Sequence, residues 1–513
     1  VHVFHADYLR HKYLPFYHVE NTRIFAILRK NAKMTTLLNY IGGKLIPPVS
    51  GEYLDNYCPS TGEIYGKIPD SDRNDAELAF QAAKKAFSSW SETPAQVRSE
   101  FLMRIAALIR EKLEVFARAE SLDNGKPLSL ARKMDIPRAS QNFEFFATAI
   151  LHESEHAFHT DNIALNYTKR QALGVVGCIS PWNLPLYLFT WKIAPALASG
   201  NCVVAKPSEI TPYTAFLLSE VCIEAGLPDG VLNIVHGLGG KIGQAIIEHP
   251  QIKAISFTGG TATGKKIAET AAPMFKKLSL ELGGKNPNII FEDCDFDEAL
   301  HTSVRSSFAN QGQICLCGSR IFVQRSIYEK FKNAFTEAVG KLKVGDPLET
   351  TSDLGAVVSA AHKDKILSYI ELAKEEGGTV LTGGFEVKPE GRCRNGWFVA
   401  PTVIEGLHYQ CRTNQEEIFG PVVTLTPFET EGEVVEMANG TSYGLAATVW
   451  TSNLKRAHRV AANLESGIVW VNCWLLRDLR TPFGGVKNSG VGREGGFEAL
   501  KFFTEEKNIC IKL

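Results

Sequence analysis

The sequence predicts an α/β protein built on parallel sheets. Two observations carry that expectation. From residue 172 onward, short β-rich runs ending in Gly, Pro or Asn alternate with helical stretches, the pattern of βαβ units. A second series of the same kind begins near residue 285. The 513 residues are enough for about three domains.

Taken in order, residues 74–118 read as helix. NDAELAFQAAKKAFSSW carries apolar residues at three- and four-residue spacing behind Asn74 or Asp75 as a cap, and SEFLMRIAALIREKLEVFARAESLDNGK repeats the pattern up to Gly125. The polar stretch 152–172, HESEHAFHTDNIALNYTKRQA, interrupts the first unit and reads as a hairpin excursion. Strands follow in ALGVVGCIS, GNCVVAKPS, GVLNIVHG and AISFTGG, with helices in TAFLLSEVCIEAG and GGKIGQAIIEHP. The second series runs through NPNIIFED, SRIFVQ, GTVLTGG, TVWTS and GIVWVN, and KNICIKL closes the chain as an edge strand.

Composition removes several classes of function. The chain is 44% hydrophobic and 22% charged with net charge −1. That balance gives no electrostatic reason to expect nucleic acid or an anionic membrane as a partner. No apolar run reaches the ~18 residues of a membrane span. Eleven scattered cysteines are not a secreted disulfide scaffold, so free thiols in a reducing, cytoplasmic setting are expected. Residues 1–33 hold six Lys or Arg, two acids, four His and no Ser. A mitochondrial transit peptide would be Ser-rich, so this stretch reads as an extension of unknown role ahead of a native start at Met34.

FANQGQICLCGSR places Cys315 and Cys317 one residue apart. A zinc site needs a second ligand pair at set spacing, and none stands nearby. Two readings stay open: buried thiols, or a nucleophile in the tight loop around Gly312, Gln313 and Gly318. Glu281 ends the apolar run LSLEL just before Gly283-Gly284. Buried, it has the raised pKa of a general base near neutrality; on an exposed strand face it is surface polarity alone. Pro181 and Pro185 bracket Trp182-Asn183, and an immobile Asn183 amide can donate to an oxyanion. Lys206 and Glu209, after the strand NCVVA, are placed to hydrogen-bond ribose hydroxyls. In ISFTGGTATGKK a strand ends at Gly259-Gly260 and a helix starts at Thr261 or Ala262, an arrangement that favours a phosphate. GLGGKIG around Gly239 is a looser loop of the same type.

In order, PWNLPL, AKPSE, FTGGTATGK, LELGGKNP, FANQGQICLCGSR, EEIFGPV and PFGGVKNSGVGREG closely resemble the NAD(P)-dependent aldehyde dehydrogenase superfamily, over about Leu38 to Leu513. The resemblance implies Cys315, not Cys317, as nucleophile. It implies Glu281 as general base, and Asn183 with the Cys315 backbone N–H as oxyanion donors. It implies an NAD site in which Lys206 and Glu209 bind the adenosine ribose, beside Ile179, Pro181, Trp182, Ser208, Gly239, Phe257 and Thr258. Gly259 and Gly260 would lie by the pyrophosphate, and Glu417 and Phe419 would hold the nicotinamide ribose and ring. The family commonly has Ser at Gly260. Glu209 on the ribose 2′-hydroxyl favours NAD over NADP, and no metal is implied.

The resemblance also implies a Rossmann-like cofactor domain (34–151 and 173–283), an α/β catalytic domain (284–498) and a small oligomerisation hairpin (152–172, with 499–513). The C-terminal strand would join a neighbour's sheet in a homodimer or homotetramer. Within the superfamily, the pattern is most similar to the 2-aminomuconate 6-semialdehyde and 2-hydroxymuconate semialdehyde dehydrogenases. Arginines matching Arg138 and Arg477 clamp the substrate carboxylate there, and Arg480 lies in the same loop. Such enzymes serve tryptophan breakdown through the kynurenine branch or catechol meta-cleavage.

Overall fold

Eight strands form the larger sheet of this computed structural model, which describes residues 34–513. The extension expected at 1–33 lies outside the described residues. In spatial order the strands are Gly490–Val491, Lys277–Glu281, Ile252–Thr258, Val175–Ile179, Cys202–Lys206, Leu232–Ile234, Asn39–Ile41 and Lys44–Ile46. The central five are parallel. Val175–Ile179 and Cys202–Lys206 are buried at every position, as expected of a parallel sheet covered on both faces. Helix Pro185–Ala198, an almost unbroken apolar run, is buried at all fourteen positions.

Strand order turns this sheet into a binding scaffold. From Val175–Ile179 the chain builds outward through 202–206 and 232–234, then returns to the other side for 252–258 and 277–281. The reversal opens a crevice at the carboxyl ends of Val175–Ile179 and Ile252–Thr258, where ligands of such folds bind. Ile179 through Asn183 and Thr258 through Gly260 stand at that crevice. The short strand Gly490–Val491 pairs antiparallel with Lys277–Glu281, setting Gly490 opposite Glu281.

The second sheet has seven strands, in the order Thr379–Thr382, Thr402–Glu405, Val422–Phe428, Arg320–Gln324, Pro287–Ile290, Ala446–Trp450 and Ile468–Val471. All pair parallel except the Thr379–Thr382 edge. A third sheet is the hairpin of Ala157–Thr160 and Ala164–Ala172 joined by Thr504–Lys512. Its turn holds Asp161 and Asn162 at positive φ (45° and 59°), which suits these two residue types in a tight hairpin.

Two expectations need correction. The first helix, Arg73–Glu92, is capped by Asp72, not by Asn74 or Asp75. The Asp72 side chain accepts from the Asn74 backbone, and Asp75 bonds back to the cap, closing a capping box. The C-terminal strand pairs along nine residues, Thr504 opposite Ala172 to Lys512 opposite Ala164, with the hairpin of its own chain. A neighbour is not needed to satisfy that side of the strand.

Arg320 is buried and donates to three backbone carbonyls, Lys285 (2.8 Å), Met437 (2.9 Å) and Ala438 (2.8 Å). It ties the start of the second sheet to the end of helix Glu431–Asn439. Arg320→Met leaves three buried acceptors unpaired at ~1–3 kcal/mol each. Urea unfolding is expected to show a loss of at least ~3 kcal/mol; a loss below ~1 kcal/mol would refute the account.

Candidate active site

The loop that carries Cys315 starts where helix Phe296–Phe308 ends. Asn310, Gln311 and Gly312 all take positive φ (53°, 56° and 69°), a costly run for two non-glycine residues that surrounding contacts must hold in place. A Cβ on Gly312 would strike the Gly420 carbonyl. The Asn310 side chain donates to the Asn183 carbonyl (2.9 Å), and the Asn183 side chain donates to the Gln313 carbonyl (2.9 Å). Gln313 in turn accepts from the Val358 N–H (3.1 Å), and the Asn286 side chain donates to the carbonyl of Cys315 (2.7 Å). Asn183 is thus locked against the cysteine loop, as an oxyanion donor there must be.

Cys315 is half-buried and faces two clefts. One, of about 480 Å³, is shared with Glu281, Arg477 and Tyr187. The other, of about 330 Å³, is shared with Glu417 and Phe419. Cys317 is buried and lines only the second. Burial first, then the Glu417 and Glu281 carboxyls, hold the Cys315 thiol well above the usual thiol pKa. At rest it is protonated, so attack requires a base to remove the proton.

Glu281 is buried rather than on an exposed strand face, and among the described residues neither carboxyl oxygen has a hydrogen-bond partner. Burial and the nearby Glu494 carboxylate raise its pKa well above the ordinary range, while Lys192, Arg493 and Arg477 pull it down. Beneath it, the buried Lys192 ammonium pairs with Glu494 (2.7 Å) and donates to the Ser256 hydroxyl (3.2 Å). An unpartnered buried carboxyl in a cleft is costly as structure and useful as a proton acceptor.

The crevice of the first sheet fits a dinucleotide. Lys206 ends its strand and pairs with Glu209 (2.8 Å). Burial pushes the Glu209 carboxyl up, but the ammonium and its hydrogen bonds prevail and hold it below the ordinary value. Glu209 also accepts from the Gly239 N–H (3.4 Å). Ser208 accepts from the Ile210 N–H (3.2 Å). Helix Thr261–Ala271 begins after Gly260 without a side-chain cap, and a Cβ on Gly260 would meet open space. The room a phosphate needs is present, and glycine is not sterically required there. The Ser180 and Thr258 hydroxyls are buried without partners. Phe419, at φ 61°, packs edge-on to Trp182 with ring centres 5.2 Å apart. The Glu417 carboxyl accepts from the Gly284 N–H (2.8 Å), close enough that a Cβ on Gly283 would collide with it.

The two arginines meet at one tyrosine. Arg477 donates to the Tyr187 hydroxyl (2.7 Å) and lies over Phe483, 4.0 Å from the ring centre. The Arg138 guanidinium stands 5.8 Å from the Tyr187 ring centre. Arg477 lines the cleft with Cys315; Arg138 is not among the residues that form its wall. Arg480 points away, its side chain 79% exposed and paired with Asp478. Among the described residues, neither Arg138 nor Arg477 has a carboxylate within salt-bridge distance.

The profile of the aldehyde dehydrogenase family matches residues 46–509. This chain belongs to the aldehyde dehydrogenase family. It is 52% identical over 479 residues to the 2-aminomuconic semialdehyde dehydrogenase of Homo sapiens, covering 93% of this chain and 98% of that protein. It is 46% identical over 486 residues to the 2-hydroxymuconic semialdehyde dehydrogenase of Pseudomonas sp. (strain CF600), covering 94% and 100%. The crystallised aldehyde dehydrogenase of Bacillus cereus in complex with NAD+ superposes with a TM-score of 0.91 at 39% identity, covering 93% and 97%.

Several residues of this aldehyde dehydrogenase site were not singled out from the sequence. Lys192 carries a readable signal, since it is the one charge in the otherwise apolar helix segment PLYLFTWKIAPALA and a charge buried there demands a partner. Glu494, in a glycine-rich loop, and Tyr187, one aromatic among many, carry none.

The raised pKa of Glu281 sets the sign of a pH dependence. A carboxyl serves as a base only when deprotonated, so if Glu281 is that base, activity rises with pH through a midpoint above the ordinary carboxyl range. Glu494→Gln removes a charge that raises that midpoint and frees Lys192 to lower it. A pH profile of kcat is expected to move its acid limb to lower pH in this variant; an unmoved or upward-shifted limb would contradict the coupling.

Proposed function

We propose that this enzyme oxidises a carboxylate-bearing semialdehyde to the dicarboxylic acid, using NAD, with 2-aminomuconate 6-semialdehyde as the substrate. The observation that carries the substrate class is Arg477. Its guanidinium lines an otherwise mostly apolar cleft, beside the nucleophile and, among the described residues, with no carboxylate within salt-bridge distance. Guanidinium groups bind carboxylates in a bidentate fork, and an unpaired charge in such a place is costly without one. The amino rather than the hydroxy compound is favoured by the higher identity to the human relative.

In this reading Glu281 takes the Cys315 thiol proton and passes it to solvent, and the thiolate attacks the aldehyde carbon. The Asn183 amide and the Cys315 N–H donate to the oxyanion. Lys206, Glu209, Gly259, Gly260, Glu417 and Phe419 would hold NAD, which would supply the acceptor for the hydride leaving the aldehyde carbon. Cys315 then holds a thioester. Glu281 takes a proton from water, the hydroxyl oxygen enters the acid product, and the thiolate leaves. Glu494 raises the Glu281 carboxyl and Lys192 opposes that rise.

The chain's partner in this reading is a second copy of itself. The third sheet has two open edges, Ala157–Thr160 and Thr504–Lys512, with Phe158, Ile163, Ile511 and Leu513 largely exposed. Exposed apolar edges invite strand pairing. Light scattering is expected to give a dimer or tetramer, shifted towards monomer by Phe158→Lys with Ile511→Lys; a monomeric parent protein would refute this. Among the described residues no helix is long and apolar enough to cross a membrane, and all eleven cysteines are free, which suits the cytoplasm.

Steady-state kinetics test the substrate. The semialdehyde and a neutral aldehyde of similar length are compared, with NAD and with NADP. Arg477→Ala and Arg138→Ala are expected to lower kcat/KM for the semialdehyde by ~10- to 100-fold, the scale of a hydrogen bond to a charged group, and to leave the neutral aldehyde unchanged. NAD is expected to outperform NADP. Equal use of both aldehydes, insensitive to the arginines, would leave an aldehyde dehydrogenase of another substrate.

A further inference from the structure

Three donors converge on one carbonyl oxygen, that of Asn183. They are the Lys126 ammonium (3.1 Å), the Asn310 amide (2.9 Å) and the Asn124 amide (3.5 Å). One partner would satisfy a buried carbonyl. Lys126 has no solvent exposure, and neither have its two acidic partners, Glu120 at 3.5 Å and Asp135 in a close ion pair. The second Glu120 oxygen accepts from the Leu186 N–H (3.4 Å), in the first turn of helix Pro185–Ala198. The ion cluster therefore grips the chain just after the Asn183 side chain, at the Asn183 carbonyl and in the first turn of the following helix. Asp135 ends the segment Ala131–Asp135, which runs directly into helix Ile136–Ala149 bearing Arg138.

Stability gives little reason for such a cluster. Three fully buried ionisable groups forgo water, burial raising the Glu120 and Asp135 carboxyls above their ordinary range, and apolar side chains of similar volume usually serve as well or better. What the cluster supplies is direction. With its carbonyl and the following helix fixed, the Asn183 backbone has one orientation, and the side-chain amide is aimed at the Cys315 loop, where it already bonds Gln313.

We infer that Lys126, anchored by Glu120 and Asp135, is a positioning residue that aims the Asn183 amide at the oxyanion formed on Cys315. The inference rests on the reading of Asn183 as an oxyanion donor. Lys126 touches neither substrate nor cofactor and acts only through Asn183.

Single-turnover formation of NADH, with the full-length enzyme, saturating NAD and the semialdehyde, separates this from a general structural role. Asn183→Ala is expected to slow the step by ~100-fold, the scale of one lost oxyanion donor. Lys126→Met is expected to slow it by about 10-fold, with NAD affinity unchanged by fluorescence quenching. The decisive variant combines both: if Lys126 works through Asn183, it is no slower than Asn183→Ala alone. Losses that multiply, or a Lys126→Met rate equal to the parent, would overturn the inference. An unchanged Asn183→Ala rate would instead remove the oxyanion reading beneath it, and the inference with it. Should Lys126→Met not fold, Asp135→Asn keeps the ammonium but loosens its anchor, and the same non-multiplying loss with Asn183→Ala is expected.

Discussion

The contact between the Asn183 turn and the Cys315 loop is the constraint on which the rest of the site depends. The turn leaves the first sheet at Ser180, and the loop enters the second at Arg320. They are held by reciprocal bonds, Asn183 to the Gln313 carbonyl and Asn310 to the Asn183 carbonyl. The strained backbone at Asn310 and Gln311 is tolerated because both side chains are tied, Gln311 donating to the Ala356 carbonyl at 2.8 Å. Shift either element and the thiol, the oxyanion donor and the clefts on either side separate together.

The same desolvation that raises the Cys315 thiol also raises the Glu281 carboxyl. In water both groups would sit at ordinary values, one mostly protonated and the other wholly ionised at neutral pH. Burial moves both upward, and Glu494 moves Glu281 further. A carboxyl ionised at all times would be too weak a base to activate water; one raised above the ordinary carboxyl range is better matched to the task. The charges of Lys192, Arg493 and Arg477 keep that rise within bounds.

Much of this was legible in the sequence because strands, loops and glycines leave local signatures. The βαβ alternation gave parallel sheets, and the runs ending at Gly259, Glu281 and Lys206 marked strand ends at the crevice. The hairpin at 152–172 showed as a polar interruption. The start of the first helix was displaced by two residues because a capping box is decided by which carboxylate reaches the N–H groups, and Asp72, Asn74 and Asp75 are all able residues. The pairing of the C-terminal strand was hidden, since a strand's partner more than 300 residues away leaves no local trace. Glu281 alone was ambiguous; only its buried surroundings distinguish a base from a surface residue. For the same reason Tyr187, Glu494 and Lys126 went unnoticed, their significance residing in what lies across from them.

The buried ionisable groups inside this protein are not scattered. Lys192 and Glu494 lie under the base, Lys126 with Glu120 and Asp135 under the Asn183 turn, and Arg320 under the Gly284-Lys285 segment that receives Glu417. As contributions to stability they are poor choices, because each forfeits hydration that the protein interior returns only in part. As fixtures they are good ones. A charged donor fixes the distance and direction of what it binds, whereas apolar packing tolerates shifts of a few tenths of an ångström. A hydrophobic core could hold these two sheets together, but it could not set the direction of an amide or the pKa of a carboxyl, and the chain has placed its costly groups where direction and pKa are what the chemistry requires.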